Sequence, residues 1–186
     1  MPFALKRNTE QFFSGGEEMI QLVSGDILLT QANAIAHGVA PFDHFNQGLA
    51  LALRERWPAM VKDFRHWCHN QSPQPGEVWQ WVGAGGPRIF NLLTQESADS
   101  GRGGQPGRAK LDNVNHALKV LRRVADSERI TSLAMPRLAT GVGGLEWGPV
   151  KELIERHFAD AAYPVFVYHE YHKGVVASEE FPAGVG

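Results

Sequence analysis

The sequence predicts one α/β domain with a mostly parallel or mixed sheet and helices on both faces. Three observations carry that expectation. Short apolar runs of strand length alternate with segments of helical period. The 186 residues suffice for one domain with a real core and are too few for two comfortable ones. Glycine-rich and polar turns fall where strands hand over to helices, the place where such folds hold their ligands.

The elements follow in order. Met19-Ile20-Gln21-Leu22-Val23 alternates as a strand and stops at Ser24-Gly25-Asp26. Ala34 to Val39 is a second short strand, bounded by Asn33 and Pro41. Gly48 to Arg56 is helical, with Leu49, Ala52 and Leu53 on one face, and Pro58 opens a further helix toward Cys68. Glu77 to Val82 and Arg88 to Leu93 form a hairpin around Gly83-Ala84-Gly85-Gly86-Pro87. Ser97 to Arg108 reads as a mobile loop of the kind that serves as a lid or binding loop. Leu111, Val114, Leu118, Leu121 and Val124 mark the clearest amphipathic helix. Ser132 to Met135 is a buried strand, Trp147-Gly148-Pro149 opens a helix, and Val165 to Tyr168 is the last strand. The expected division is an N-terminal extension over 1–18, a domain over 19–172 and a frayed tail over 173–186.

Composition narrows the function classes. Lys plus Arg number 18 against 20 for Asp plus Glu, so no basic stripe for non-specific nucleic-acid binding is expected. The lone Cys68 excludes an internal disulfide and suits a reducing compartment, the cytoplasm by default. Neither a signal-peptide pattern nor an apolar run of bilayer length is read, so no membrane association is expected. His66, Cys68 and His69 fall short of a zinc ligand set, and no metal or cofactor is expected. The five tryptophans read as core and strand-face residues.

Three segments at strand ends can carry chemistry. Met135 through Gly144, with Ala139, Thr140, Gly141, Val142 and Gly143, can turn backbone amides toward one point and hold an anion at a helix start. It can equally be a connecting turn. It has no lysine after its glycines and does not match G-x-G-x-x-G, which sets aside the nucleotide-hydrolase and dinucleotide loops. Asp26, in Gly25-Asp26-Ile27, can accept a hydrogen bond from an exocyclic amine, or can simply turn the chain or cap a helix. Phe42 to Ala50 brings Gly48 to a helix start. It also sets Asp43 beside His44, which can be a surface pair or an acid and base.

The order Gly25-Asp26-Ile27, Ala34-Ile35-Ala36-His37, Asn46-Gln47-Gly48-Leu49-Ala50 and Pro136 to Trp147 resembles a macrodomain. The likeness runs from about Met19 to Tyr168. It points to the branch holding the terminal ADP-ribose protein glycohydrolase and the antitoxin that removes ADP-ribose from DNA. The resemblance implies a three-layer α/β/α fold with a mixed central sheet, and ADP-ribose or an ADP-ribosylated macromolecule as ligand. It implies Asp26 on the adenine amine, Ile27 supporting it, and Gln47, Gly48 and Leu49 along a ribose and phosphate. Thr140 to Gly143 would wrap the diphosphate, and Tyr168 or His169 would lie against the adenine.

Two departures bear on activity. The branch uses a lysine after a strand ending in threonine, whose amine attacks the anomeric carbon; here Leu92-Leu93-Thr94 is followed by Gln95. An amide cannot serve as that nucleophile. Some members place an acid where this chain has Gly143, although the antitoxin type also has glycine. Hydrolysis by another route, with Asp43, His44 or Gln95 as candidates, stands beside a reader that binds ADP-ribose without turnover. A third reading is a doubly wound domain that holds another nucleotide through Gly141 to Gly144.

Overall fold

The computed structural model describes residues 18–98 and 105–183. The expected N-terminal extension and the middle of the Ser97–Arg108 loop lie almost wholly outside the described residues. The six strands are β1 (Ile20–Gly25), β2 (Ala34–Val39), β3 (Val78–Val82), β4 (Arg88–Leu93), β5 (Leu133–Pro136) and β6 (Val165–Tyr171). The helices are α1 (Gly48–Arg56), α2 (Pro58–Gln71), α3 (Leu111–Ser127) and α4 (Trp147–Phe158). The sheet order is β1-β6-β5-β2-β4-β3, parallel throughout except where β3 runs antiparallel to β4.

Period-two burial builds the layers. Ala34 and Ala36 of β2, Phe90 and Leu92 of β4, and Val165 and Val167 of β6 all face one core. There they meet Leu118 and Leu121 of α3 and Ile154 and Phe158 of α4. The alternate residues face the other way. Val39 and Ile89 pack on Leu53, Met60 and Phe64 of α1 and α2, and Phe64 meets Phe45 edge-on at 5.1 Å.

Helices α1 and α2 cover mainly the β2-β4-β3 half of that second face, with Leu49 of α1 also reaching the other half. The other half, formed by Val23, Ile35, Ala134, Phe166 and Tyr168, is closed by the 3-10 turn at Ile27–Leu29 and by Ala177 of the C-terminal segment. The tail expected to fray therefore differs from that expectation over its described part. Ala177 is buried, and Phe181 packs on Phe166 with ring centroids 5.1 Å apart. The physical reason is the half-face left bare by the helices, whose apolar side chains need cover.

The predicted elements otherwise sit where the periodicity put them, with strand ends moved by one to three residues. The 3-10 turn is the one element absent from the reading. Asp26 starts it, its carboxylate accepting from the Leu28 amide at 3.0 Å.

Candidate functional site

The parallel strands β2, β5 and β6 release their chains at one edge of the sheet, and the loops that follow enclose two adjoining cavities of about 380 Å³ each. Gly48, Leu49 and Pro136 line both, so the two form one bent cleft across the N-terminus of α1.

The first arm is mainly apolar. Ile27, Leu28, Leu49 and Ala52 face Tyr168 and Tyr171, and Asp26 supplies its carboxylate. That carboxylate accepts from two backbone amides, Leu28 at 3.0 Å and Gly174 at 2.9 Å, so the cap reading of Asp26 is realised within the cleft wall. Tyr168 donates to Glu179 at 3.0 Å. Burial, then the Glu179 carboxylate, push its phenol above the ordinary range, which keeps it a donor.

Tyr171 was not among the expected residues. Simple alternation from Tyr168 would bring Glu170 to the cleft. Val23 pairs with Tyr168 and Ser24 with Glu170, so His169 is an extra residue that resets the phase. His169 lies instead against Ser24, 3.4 Å from its hydroxyl, and does not line the cleft.

The second arm is lined by His37, Asp43, Gln47 and Gln95 on one side and by Ala139, Gly141, Val142 and Gly143 on the other. Gly38, Asn46, Ala50, Pro106, Arg137 and Leu138 complete it and were not among the expected contacts. Three non-glycine residues around it, Phe42, Phe45 and Ala139, hold φ near +60°, a cost that backbones bear mostly at functional turns.

Asp43 bends the first of these loops. Its carboxylate accepts from the Ala40 amide at 3.0 Å and the Phe45 amide at 2.9 Å, and burial raises its pKa against the pull of those two bonds. His44 beside it is exposed and outside the lining. Its carbonyl accepts from Arg54, so the adjacent pair does not converge on the cleft.

His37 is buried under this arm and paired with Asn91 at 2.6 Å. Burial lowers its pKa to about 4 despite that bond, so it is neutral at pH 7 and donates from Nε2 to the Asn91 carbonyl. Gln95 follows Thr94 after β4 and donates to the Gly107 carbonyl at 3.1 Å. It thus stands in the cleft where the resemblance implies a lysine.

The glycine-rich loop closes on itself through Gly144 donating to Gly141 and Leu145 donating to Ala139, both at 3.0 Å. Among the described residues, the amides of Gly141, Val142 and Gly143 donate to no backbone carbonyl, which leaves a concave set of donors suited to an anion. Thr140 is turned to the Arg137 carbonyl and does not line the arm. A Cβ on Gly143 would stand 2.6 Å from the Ala139 carbonyl and 2.9 Å from the Ala109 methyl. Gly143→Ala is therefore expected to cost about 1–3 kcal/mol of stability and to weaken anion binding about tenfold. Thermal melting with and without the phosphate-bearing ligand checks both.

The bases of the Ser97–Arg108 loop are anchored on both walls. Gln95 bridges Ala109, the Ala98 amide donates to the Pro41 carbonyl, and Gln47 donates to Gln105 at 3.1 Å. Among the other sequence candidates, Cys68 lies on the buried face of α2, and burial pushes its thiol up. Its neighbour His66 bonds Asn70, and the described residues contain no group of three potential metal ligands. No helix among them is long and apolar enough to cross a membrane.

No protein-family model matches the chain. It is 28% identical over 144 residues to a DNA ADP-ribosyl glycohydrolase of Mycobacterium tuberculosis, covering 75% of this chain and 39% of that protein. It is 23% identical over 150 residues to human ADP-ribose glycohydrolase OARD1, covering 80% of this chain and 90% of that one. The chain thus spans about two-fifths of the first relative's length. The macrodomain of Thermus aquaticus DarG superimposes with a TM-score of 0.71 at 26% identity, over 81% of this chain and 98% of that one. Thermosipho africanus DarTG in complex with ADP-ribose gives 0.70 at 21% identity, over 80% and 41%. Strand order, cleft position and these similarities agree: the chain has the macrodomain fold and is similar in sequence to the DNA ADP-ribosyl glycohydrolases.

Proposed function

We propose that the chain binds ADP-ribose in this cleft and releases it by hydrolysis from an ADP-ribosylated macromolecule or an ester. The observation that supports this reading is the bent cleft itself. One arm is an apolar slot with a carboxylate on its wall, the elbow is a helix N-terminus, and the other arm is edged by amides that donate to no backbone carbonyl among the described residues. ADP-ribose presents the same order: a flat base with an exocyclic amine, a diphosphate and a second ribose. Asp26 takes the adenine amine, with the backbone of Ile27 behind it, and Tyr168 lies against the ring. Gly48 and the amides from Gly141 to Gly143 take the phosphates. Gln47 and Gln95 border the second ribose.

In this reading Gln95 orients rather than attacks. Its amide nitrogen is held by the Gly107 carbonyl, so its oxygen is the end available to a water near the anomeric carbon. Asp43 fixes the loop beneath, with both carboxylate oxygens bonded to amides. The activities named for the relatives support a hydrolytic role, and the cytoplasm is the compartment that fits a lone buried thiol.

One observation favours a second reading, binding without turnover: an amide stands where the branch's lysine would act. Calorimetric titration with ADP-ribose beside AMP, followed by product analysis on ADP-ribosylated protein, DNA and ester substrates, tests both. Binding with product release on one carrier is the expected result. Binding with no release on any carrier leaves the reader, and no binding of ADP-ribose sinks both.

A further inference from the structure

The C-terminal segment that closes the bare half of the sheet does so directly behind the apolar arm of the cleft. After β6 the chain turns at His172, whose amide donates to the Gly25 carbonyl, and then runs back over the end of β1. It meets Asp26 twice. The Asp26 amide donates to the Val175 carbonyl at 2.7 Å, and the Gly174 amide donates to the Asp26 carboxylate at 2.9 Å. Gly25 is fitted to this crossing. Its φ is +153°, and a Cβ there would stand 2.7 Å from the Val175 carbonyl. Four residues later Glu179 gathers three donors: the Tyr168 hydroxyl, the Thr30 hydroxyl and the Gln31 amide. Gln21 and the Glu180 backbone exchange two hydrogen bonds, at 2.7 and 3.0 Å, and Phe181 anchors the end on Phe166.

We propose that residues 173–181 are a strap that fixes the apolar wall of the cleft, with Glu179 as the positioning residue for Tyr168 and the Asp26 turn. The proposal rests on the reading that this wall receives adenine. Glu179 does not itself line the cleft and acts on it through the groups it holds, Tyr168 among them. A carboxylate accepts from all three at once, whereas a carboxamide would meet either the Gln31 amide or the two hydroxyls with an N–H and so weaken the set. Its effect on a ligand is therefore confined to the arm that Tyr168 and Asp26 shape, and the arm edged by Gly141 to Gly143 is independent of it.

Two measurements on the full chain separate the strap from the ligand reading. The first is amide hydrogen exchange without ligand, on wild type, Glu179→Ala and Glu179→Gln. The strap requires faster exchange over residues 26–31 in the alanine variant, with the glutamine variant between, and unchanged exchange in α3 and α4. The second is titration with ADP-ribose and with ribose 5-phosphate. Glu179→Ala is expected to lose about tenfold in ADP-ribose affinity and to keep ribose 5-phosphate within about twofold. Unchanged exchange over 26–31 overturns the strap, and so does a parallel loss of both ligands. Altered exchange with no ADP-ribose binding by the wild type overturns the adenine assignment and the positioning role built on it.

Discussion

Asp26→Ala is expected to lower affinity for ADP-ribose about 100-fold in a calorimetric titration, the largest loss from any single side chain of the cleft. Two effects combine. A hydrogen bond to an ionised acceptor contributes about 1.5–3 kcal/mol, and alanine removes the acceptor that faces the adenine amine. Alanine also strands the Leu28 and Gly174 amides, both of which the carboxylate now holds, and so loosens the turn that presents Ile27 and Leu28. Asp26→Asn keeps the shape but offers one acceptor and one donor, so a loss of about tenfold is expected there. The same pair of variants makes a sharper test with AMP and IMP. The carboxylate prefers an amino group on the purine to a carbonyl, and Asp26→Asn narrows that preference because its N–H can meet the carbonyl. Equal binding of AMP and IMP by the wild type would remove Asp26 from base recognition.

Acid should cost the protein about 3 kcal/mol of stability between pH 6.5 and pH 4, through His37 alone. The imidazole is fully buried with Asn91, and burial takes its pKa from 6.5 down to about 4. In that window the unfolded chain binds a proton that the folded chain refuses. The stabilisation is complete above pH 6.5 and is lost as pH falls toward 4. Asp43 acts in the opposite sense, since burial raises its pKa. What it contributes is present at low pH and lost as pH rises through its folded value. The His37 component is isolated by urea unfolding of wild type and His37→Gln across that range, glutamine keeping a donor for Asn91 without a titrating proton. The two curves of stability against pH should diverge upward from pH 4. Parallel curves would show that His37 is not neutral in the folded state or is not buried as described.

The fold was legible because its signals are local. Alternation gave β1, a short apolar run gave β2, the glycine-rich turn gave the β3-β4 hairpin, the spacing of Leu118 and Leu121 gave α3, and Pro58 marked the start of α2. Most of the cleft was legible for a related reason. Asp26, Gly48 and the loop from Ala139 to Gly143 lie at strand ends, where a parallel sheet assembles loops from distant parts of the chain. What stayed hidden depends on partners far away in sequence. The extra residue at His169 exists only through the pairing of β6 with β1, and without it Tyr171 points the wrong way. The docking of the tail follows no period, because Ala177 fills a gap left by the helices and Phe181 packs on Phe166 without the segment forming a face of its own. Asp43 and His44 read as an adjacent acid and base, but loop geometry turns one inward to backbone amides and the other outward.

The pair of His37 with Asn91 has a meaning beyond acid stability. These two residues stand directly opposite each other on the parallel strands β2 and β4. Sliding one strand past the other by two residues would keep every apolar side chain on its own face, so hydrophobic patterning alone does not forbid it. Such a slip would leave an imidazole and a carboxamide buried without each other, at about 1–3 kcal/mol apiece. One polar contact therefore locks the alignment of two strands that alternation leaves free to slide. The loops that leave those strands, one carrying Asp43 and the other Gln95, are set level with each other by the same lock.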